Sequence, residues 1–246
     1  RKGANVQKGQ DVIIDANVSD EYFIKYVVEE AYKAKARKVT VEWRSSEISI
    51  LNYKYASVDT LSKLEDWEIK KLEDKVNKLP AHIYITSDDP DAFNKVNQEK
   101  ATKIRKITGP IYKKYSDQMD NKYQWTIAGI PSKKCAKKVF PNERENKAVE
   151  LLWDAILKTT RMYGNPIKNW DEHNKNLKEK CKLLNELHIK KLIYKSENGT
   201  DFSIRIKECM NFLGGSEDTI GGVTYNPNMP LRVLFYAAKL YEKHVE

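Results

Sequence analysis

The four histidines are the first candidates for chemistry, because a neutral imidazole is the commonest metal ligand and a frequent general base. They stand at positions 82, 173, 188 and 244, so no two lie within four residues of each other and no H-E-x-x-H zinc helix exists. His82 falls in a predicted strand, where a place in the core or on the sheet surface is expected. His173 and His188 fall on one predicted helix, where solvated or helix-capping roles are expected.

Carboxylates cluster in Asp88-Asp89-Pro90-Asp91, directly after the third predicted strand. Ligands of open α/β sheets bind at the carboxyl ends of strands, so a ligand-binding role is one interpretation. With Ser87, the same residues also form a good turn and helix cap, and we favour this interpretation because no second ligand group is visible. Ser216 follows Gly214-Gly215 but lacks the second glycine of a G-x-S-x-G nucleophile elbow.

A dinucleotide site would need a glycine-rich turn between the first strand and its helix, so that the backbone can approach a pyrophosphate. That turn reads Ala16-Asn17-Val18-Ser19-Asp20 and contains no glycine. Its last residue is an acid at the helix start, where it would repel a phosphate. The sequence therefore argues against nucleotide binding.

The strands and helices predicted around these residues indicate a parallel sheet with flanking helices. Short apolar runs with β-branched or aromatic residues predict four strands, over Asp11–Asp15, Val39–Trp43, Ala81–Thr86 and Tyr123–Ala128. Helical periodicity predicts helices from the Ser19/Asp20 cap to about Lys35, over Ser57–Lys78, and over Gln98–Met119. The first helix has a predicted inner face of Phe23, Tyr26, Val27, Glu30 and Ala31. Strand–helix–strand order over about thirty residues is typical of right-handed βαβ units, so residues 1–130 are predicted to form an α/β parallel-sheet domain.

The pattern changes after residue 130. Helices are predicted near Asn142–Arg161 and Ile167–Leu187, so residues 131–188 are interpreted as a helical connection. A hairpin is predicted over Ile189–Lys195 and Thr200–Ile206, and a short strand over Val223–Tyr225. Such strands would leave open sheet edges, which natural proteins avoid. Residues 189–246 are therefore expected to be the start of a β-rich second domain that is cut short.

Composition limits the possible partners. The chain has 246 residues, 40% hydrophobic and 32% charged, and a formal net charge of +9. Its lysines alternate with acids at helical spacing, which is typical of solvated helix faces, and no nucleic-acid-binding module is recognisable. No apolar run approaches the ~20 residues of a membrane span. Three separated cysteines fit a reducing compartment. We expect a cytoplasmic protein without nucleic-acid or membrane partners.

Six segments in order carry a resemblance to a known family. They are Asn5–Gln10, Ser87–Asp91, Ala136–Pro141, Trp170–Asn174, Gly199–Asp201 and Asn226–Pro230. In this order and spacing the chain resembles the bacterial metallo-aminopeptidases of the aminopeptidase T, aminopeptidase S and PepS type. The resemblance extends over nearly the whole chain, to about Pro230.

The resemblance implies an activity that the residues alone do not reveal. Members of this family remove N-terminal amino acids from peptides with two divalent metals, commonly zinc or cobalt, in a C-terminal domain. Two metals can activate a water molecule and polarise the scissile carbonyl. The resemblance also implies a homodimer, with the N-terminal α/β domain supplying shape and assembly rather than metal ligands.

The sequence departs from the family pattern after Pro230. The family continues with Thr-Glu-Glu, and one of those glutamates is a metal ligand, whereas this chain has Arg232 and Val233 at the acid positions. An arginine has no lone pair to offer a cation. Glu242, His244 and Glu246 have two-residue spacing but no predicted fold around them that would close a site. The sequence thus assigns no catalytic, cofactor-binding or metal-ligating residue to this chain, and no bound metal is expected.

Two function classes stay open at this point. The first is a metal-dependent aminopeptidase whose ligands lie outside this chain, so that the chain is inactive alone. The second is a non-catalytic dimerisation or binding module derived from the same family. Whether this polypeptide is itself an enzyme is left open by the sequence.

Overall fold

The computed structural model describes residues 1–87, 89–94 and 96–229, and the backbone of residues 239–242. Four parallel strands form the main sheet, in the spatial order β2-β1-β3-β4. They are β1 (Asp11–Asn17), β2 (Lys38–Arg44), β3 (Ala81–Thr86) and β4 (Trp125–Gly129). The α/β class and the parallel sheet with flanking helices are confirmed.

The helices of the described chain are α1 (Glu21–Lys33), α2 (Ser46–Tyr55), α3 (Val58–Ser62), α4 (Asp66–Lys78), α5 (Gln98–Met119), α6 (Lys133–Val139), α7 (Glu145–Thr159) and α8 (Pro166–Glu186). A 3₁₀ turn over Val18–Asp20 joins β1 to α1. The later strands are β5 (Lys191–Lys195), β6 (Asp201–Arg205), β7 (Met210–Leu213), β8 (Glu217–Asp218), β9 (Thr224–Tyr225) and β10 (Lys239–Glu242).

One face of the sheet carries the apolar core. Val12, Ile14 and Ala16 alternate along β1 and are at most 1% exposed. Against them pack Ile24 and Ala31 of α1, which are also buried in this cluster. Burying a Val or Ile side chain contributes roughly 1.5–3 kcal/mol, so Val12, Ile14 and Ile24 do most to hold α1 against the sheet.

The opposite face of the sheet carries several polar side chains, and lysines of α4 reach it. Lys75 of α4 forms a 2.9 Å ion pair with Glu42 of β2, and Glu42 stands beside Asp15 of β1 in the parallel register. On β3, His82 is 8% exposed and its ring stacks 4.1 Å from that of Tyr84. Burial lowers the pKa of His82 to about 4, with a smaller contribution from the positive charge of Lys75. This histidine is thus a neutral core residue, as its predicted strand indicated.

Two predicted helical features are wrong. The helix predicted over 57–78 is two helices, because Ser57 caps α3 and a capping box of Glu65 with Glu68 starts α4 anew. Helix α2 was not predicted from the sequence. On α1, Tyr26 and Glu30 of the predicted face are exposed, Tyr26 at 56%, whereas Ile24, at 1%, takes the buried place. An aliphatic side chain fits the flat apolar face of β1, and the phenol remains in water.

The segment before Pro230 extends the sheet edge beside β4. The amide of Ile127 donates to the carbonyl of Pro227 at 2.7 Å, and the amide of Met229 donates back to Ile127 at 2.9 Å. The resulting bridge between Ile127 and Asn228 is parallel. The chain therefore runs in the same direction from Asn226 to Met229 as it does along β4.

Contacts divide the chain into two compact units, residues 1–160 with 218–231, and residues 161–217 with 232–246. In the second unit, β5 and β6 pair antiparallel with Lys195 opposite Asp201, as the predicted hairpin requires, and β10 pairs antiparallel with β7. The sequence-based division at residues 130 and 188 rests on the order of the predicted strands and helices and stays a prediction. Among the described residues, no helix is long and apolar enough to cross a membrane.

Candidate functional site

A cleft of about 1160 Å³ opens at the carboxyl ends of the parallel strands, within the first unit. Each strand of the sheet ends at or close to it, because parallel strands bring the residues that follow them to one edge. The lining residues come from the segments after β1, β2, β3 and β4 and from α7: Asn17, Val18, Ser19, Asp20, Tyr22, Ser45, Ser46, Glu47, Ile50, Ser87, Asp89, Asp91, Ala92, Asn94, Pro131, Ser132, Lys133, Lys134, Asn146, Val149, Glu150 and Trp153.

Asp20 is the most deeply buried charged residue of this cleft, with 3% of its surface exposed. The hydroxyl of Ser87 donates to its Oδ2 at 2.5 Å, and the hydroxyl of Ser19 donates to its Oδ1 at 3.2 Å. Its side chain does not cap α1. Burial, and secondly the negative charge of Asp20, raise the pKa of the nearby Tyr22 phenol.

The serines at two helix starts of the cleft are engaged with their own helices. The hydroxyl of Ser45 accepts a 3.3 Å hydrogen bond from the amide of Ile48 in α2. Ser132 accepts one of 3.2 Å from Cys135 in α6. Such N-caps satisfy amides that would otherwise be available to an anion, so these helix ends are poor anion sites.

The acids after β3 behave as the turn that the sequence predicted. Oδ1 of Asp89 accepts from the amide of Asp91 at 3.0 Å, and this bond is the largest cause that lowers the pKa of Asp89. Lys134 lies 3.1 Å from Asp89, and Lys138 lies 2.7 Å from Asp91. The adjacent Asp88 lies outside the described residues. Both acids are thus neutralised by lysines of α6.

Other charges of the cleft are also paired. Lys133 lies 2.7 Å from Glu145, and Glu150 lies 3.1 Å from Lys147. Two cleft carboxylates, Asp20 and Glu47, have no ion pair among the described residues. The cleft therefore presents two unneutralised acids beside an apolar wall of Val18, Ile50, Val149 and Trp153.

None of the three described histidines is among the residues that line this cleft. His82 lies inside the sheet, and its Nε2 atom is buried without a hydrogen-bond partner. His173 lies on α8 and has its pKa lowered by burial, His188 follows α8, and His244 lies outside the described residues. In the part of the chain that the structure describes, no group of three His, Cys, Asp or Glu side chains is placed to hold a metal.

Sequence reasoning found some residues of the cleft and missed others. It singled out Asp20 and Asp89–Asp91, but as a phosphate-repelling helix start and as a turn. Glu47 was missed because α2 was not predicted, although Ser45 followed two residues later by Glu47 is a recognisable helix-start pattern. Arg232 and Val233, which the sequence was expected to place at the family's acid positions, lie outside the described residues.

Comparison with known proteins identifies what the chain resembles. It is 33% identical over 235 residues to aminopeptidase AmpS of Bacillus subtilis, covering 95% of this chain. Aminopeptidase PepS of Streptococcus thermophilus is 32% identical over 238 residues, covering 96%. In both cases the match spans 57% of the relative's own length.

A solved structure agrees with these sequence matches. The structure described as wild-type AmpT from Thermus thermophilus superposes with a TM-score of 0.82 and 29% identity, over 93% of this chain and 56% of that one. The family model described as thermophilic metalloprotease (M29) matches residues 1–244. The chain therefore belongs to the M29 family of metallopeptidases.

Proposed function

We propose that this protein functions as a metal-dependent aminopeptidase that releases N-terminal amino acids from peptides. The observation that carries the proposal is the superposition on an AmpT structure at a TM-score of 0.82 over 93% of the chain. The curated relatives that match are aminopeptidases. Because the chain spans about 57% of the length of those relatives, the activity is a proposal for this chain.

The metal of this function is proposed to be zinc or cobalt, but the described residues do not fit it. Within residues 1–87, 89–94 and 96–229, no three His, Cys, Asp or Glu side chains are grouped to hold an ion. A catalytic zinc site has about three protein ligands and keeps a further position open for water or substrate. The ligands are therefore proposed to lie elsewhere than in the described residues, and no metal-dependent step is derived from this structure.

The described part is proposed to act as a scaffold for that chemistry. Residues 226–229 run parallel to β4, and both the backbone amide and the carbonyl of Ile127 form hydrogen bonds with them. Within residues 226–229 the chain therefore runs toward the carboxyl edge of the sheet, where the residues that follow the strands meet. A homodimer and a cytoplasmic location are part of the same proposal.

The test compares two samples. The first is the 246-residue chain, and the second is the natural gene product isolated with antibodies against that chain. Both are assayed for release of nitroaniline from leucine and arginine p-nitroanilides with added zinc, cobalt or EDTA, and their metal content and molar mass are measured. We expect metal-dependent release by the natural product and neither release nor stoichiometric metal in the 246-residue chain.

The other outcomes are informative in different ways. Release by the 246-residue chain with bound metal would show that the chain itself builds the centre. No release by the natural product would contradict the proposal. A dimeric but inactive natural product would favour the alternative, a non-catalytic dimerisation or binding module of this family.

A further inference from the structure

The cleft at the carboxyl edge of the sheet contains a buried acid, Asp20, that has no ion pair among the described residues. We propose that this cleft binds a small molecule with a primary ammonium group beside an apolar side chain, the chemistry of a peptide N-terminus or an amino-acid amide. The site lies among residues 17–153, and it does not require that the proposed aminopeptidase function be correct.

The carboxylate of Asp20 is buried and is hydrogen-bonded by two hydroxyl groups. A carboxylate has about four acceptor positions, and the hydroxyls of Ser87 and Ser19 occupy two of them. Both donors are neutral, and burying an ion without an opposite charge is costly. An ammonium group supplies three N–H donors and the missing positive charge, so it complements Asp20 in both respects.

The second argument is the charge balance of the cleft. Asp89 and Asp91 are neutralised by Lys134 and Lys138, and Lys133 is engaged with Glu145. The remaining acids of the described cleft without an ion pair are Asp20 and Glu47. An anion would find its lysines already paired, whereas a cation would find two acids that are not.

The third argument is the apolar wall. Val18, Ile50, Val149 and Trp153 line the same cleft as Asp20, and the ring of Trp153 is held by Phe23 at 5.6 Å. Ligand pockets usually have volumes of about 300–1,000 Å³, so a cleft of about 1160 Å³ has room for an amino-acid amide or a short peptide end. A bare metal ion would leave this wall without a contact, and no three ligands are grouped for one in the described residues.

The first experiment is isothermal titration of the 246-residue chain, treated with EDTA, with L-leucinamide and with N-acetyl-L-leucinamide. The two probes share the side chain and the amide, and differ in the ammonium group. We expect leucinamide to bind at least about tenfold more tightly, the effect of losing roughly 1.4 kcal/mol of charge interaction. Equal binding of the two probes, or no binding of leucinamide, would overturn the proposal.

Variants then locate the site. Asp20→Asn keeps an acceptor for Ser87 and removes the charge, so the affinity for leucinamide should fall about tenfold or more. Glu47→Gln, at an exposed position, should weaken binding about threefold. Glu73→Gln on α4, exposed and outside the cleft, is the matched control and should bind like the unaltered chain. Thermal unfolding verifies that each variant is folded.

The possible failures can be distinguished. If Asp20→Asn does not fold, Glu47→Gln and the comparison of the two probes still decide, because neither depends on that variant. Unchanged affinity in Glu47→Gln and in folded Asp20→Asn would overturn the site. Since the titration contains EDTA and measures no turnover, loss of the proposed aminopeptidase function would leave this result standing, and the reverse also holds.

Discussion

The hydroxyl of Ser87 donates a 2.5 Å hydrogen bond to the carboxylate of Asp20, two residues that lie 67 positions apart. Asp20 follows β1 and Ser87 follows β3, and these strands are neighbours in the order β2-β1-β3-β4. From β1 the chain continues to β2 on one side, and from β3 it continues to β4 on the other. This bond therefore spans the switch point of the sheet, where open α/β sheets form their ligand crevices.

The bond between these residues yields a first prediction. Ser87→Ala should lower the free energy of unfolding by about 1–3 kcal/mol, because a buried carboxylate loses a donor that water does not readily replace. Urea unfolding at pH 7 measures the change. Ser203→Ala on the exposed face of β6 serves as the control and should change stability by less than about 0.5 kcal/mol. A Ser87 variant as stable as the control would contradict the assigned bond.

A second prediction concerns Asn226, which is 4% exposed. Its side-chain amide donates to the carbonyl of Lys2 at 2.8 Å, and its backbone amide donates to Gly3 at 2.9 Å. Asn226→Ala should cost about 1–3 kcal/mol of stability and speed proteolytic cleavage within residues 1–9. Asn228→Ala, at an exposed position of the same motif, is the control. Equal cleavage rates in the two variants would contradict the role of Asn226 in holding Lys2 and Gly3.

The third prediction tests the close packing of Gly3. A Cβ atom there would lie 3.0 Å from Oγ1 and 3.1 Å from Cγ2 of Thr126, a side chain that is itself buried and donates to the carbonyl of Asn226. Gly3→Ala should destabilise the chain by about 1–3 kcal/mol through overpacking. Gly221→Ala is the control, because a Cβ there would approach only Oγ1 of Thr219, at 3.8 Å, and it should change stability by less than about 0.5 kcal/mol. Thermal and urea unfolding of both variants measure the changes in the free energy of unfolding.

The fourth prediction concerns pH and His82. Its folded pKa is about 4 because of burial, whereas an unfolded histidine has a pKa of about 6.5. The unfolded state therefore binds the proton more tightly, so this contribution to stability is complete above pH 6.5 and is lost as the pH falls toward 4. The loss is on the order of 3 kcal/mol.

The variant His82→Phe isolates this effect. Phenylalanine keeps a ring for stacking on Tyr84 and cannot titrate, so the part of the pH slope between 6.5 and 4 that belongs to His82 should disappear. Urea unfolding across this range, with His188→Asn at an exposed position as the control, measures it. Parallel stability–pH curves for His82→Phe and the unaltered chain would mean that His82 is not held neutral.

The sequence by itself determined the class of the fold and several of its elements. The strand Ala81–Thr86 and the helix Gln98–Met119 were predicted with the bounds that the structure shows. Both are specified locally, by an apolar β-branched run and by a periodic helix that Asn97 caps at 3.0 Å. Between 57 and 78 the apolar period continues through a break, so the local pattern concealed the separate starts of α3 and α4.

Only the tertiary structure decided which distant residues line the cleft and which residue holds the N-terminal segment. Asp20 meets Ser87 because β1 and β3 pair directly, although β2 lies between them in the chain. Asn226 meets Lys2 across 224 positions, since its segment adds to the sheet beside β4. Strand order depends on long-range burial and hydrogen bonding rather than on local propensity, and for that reason the sequence indicated an acid at a helix start but not the cleft around it.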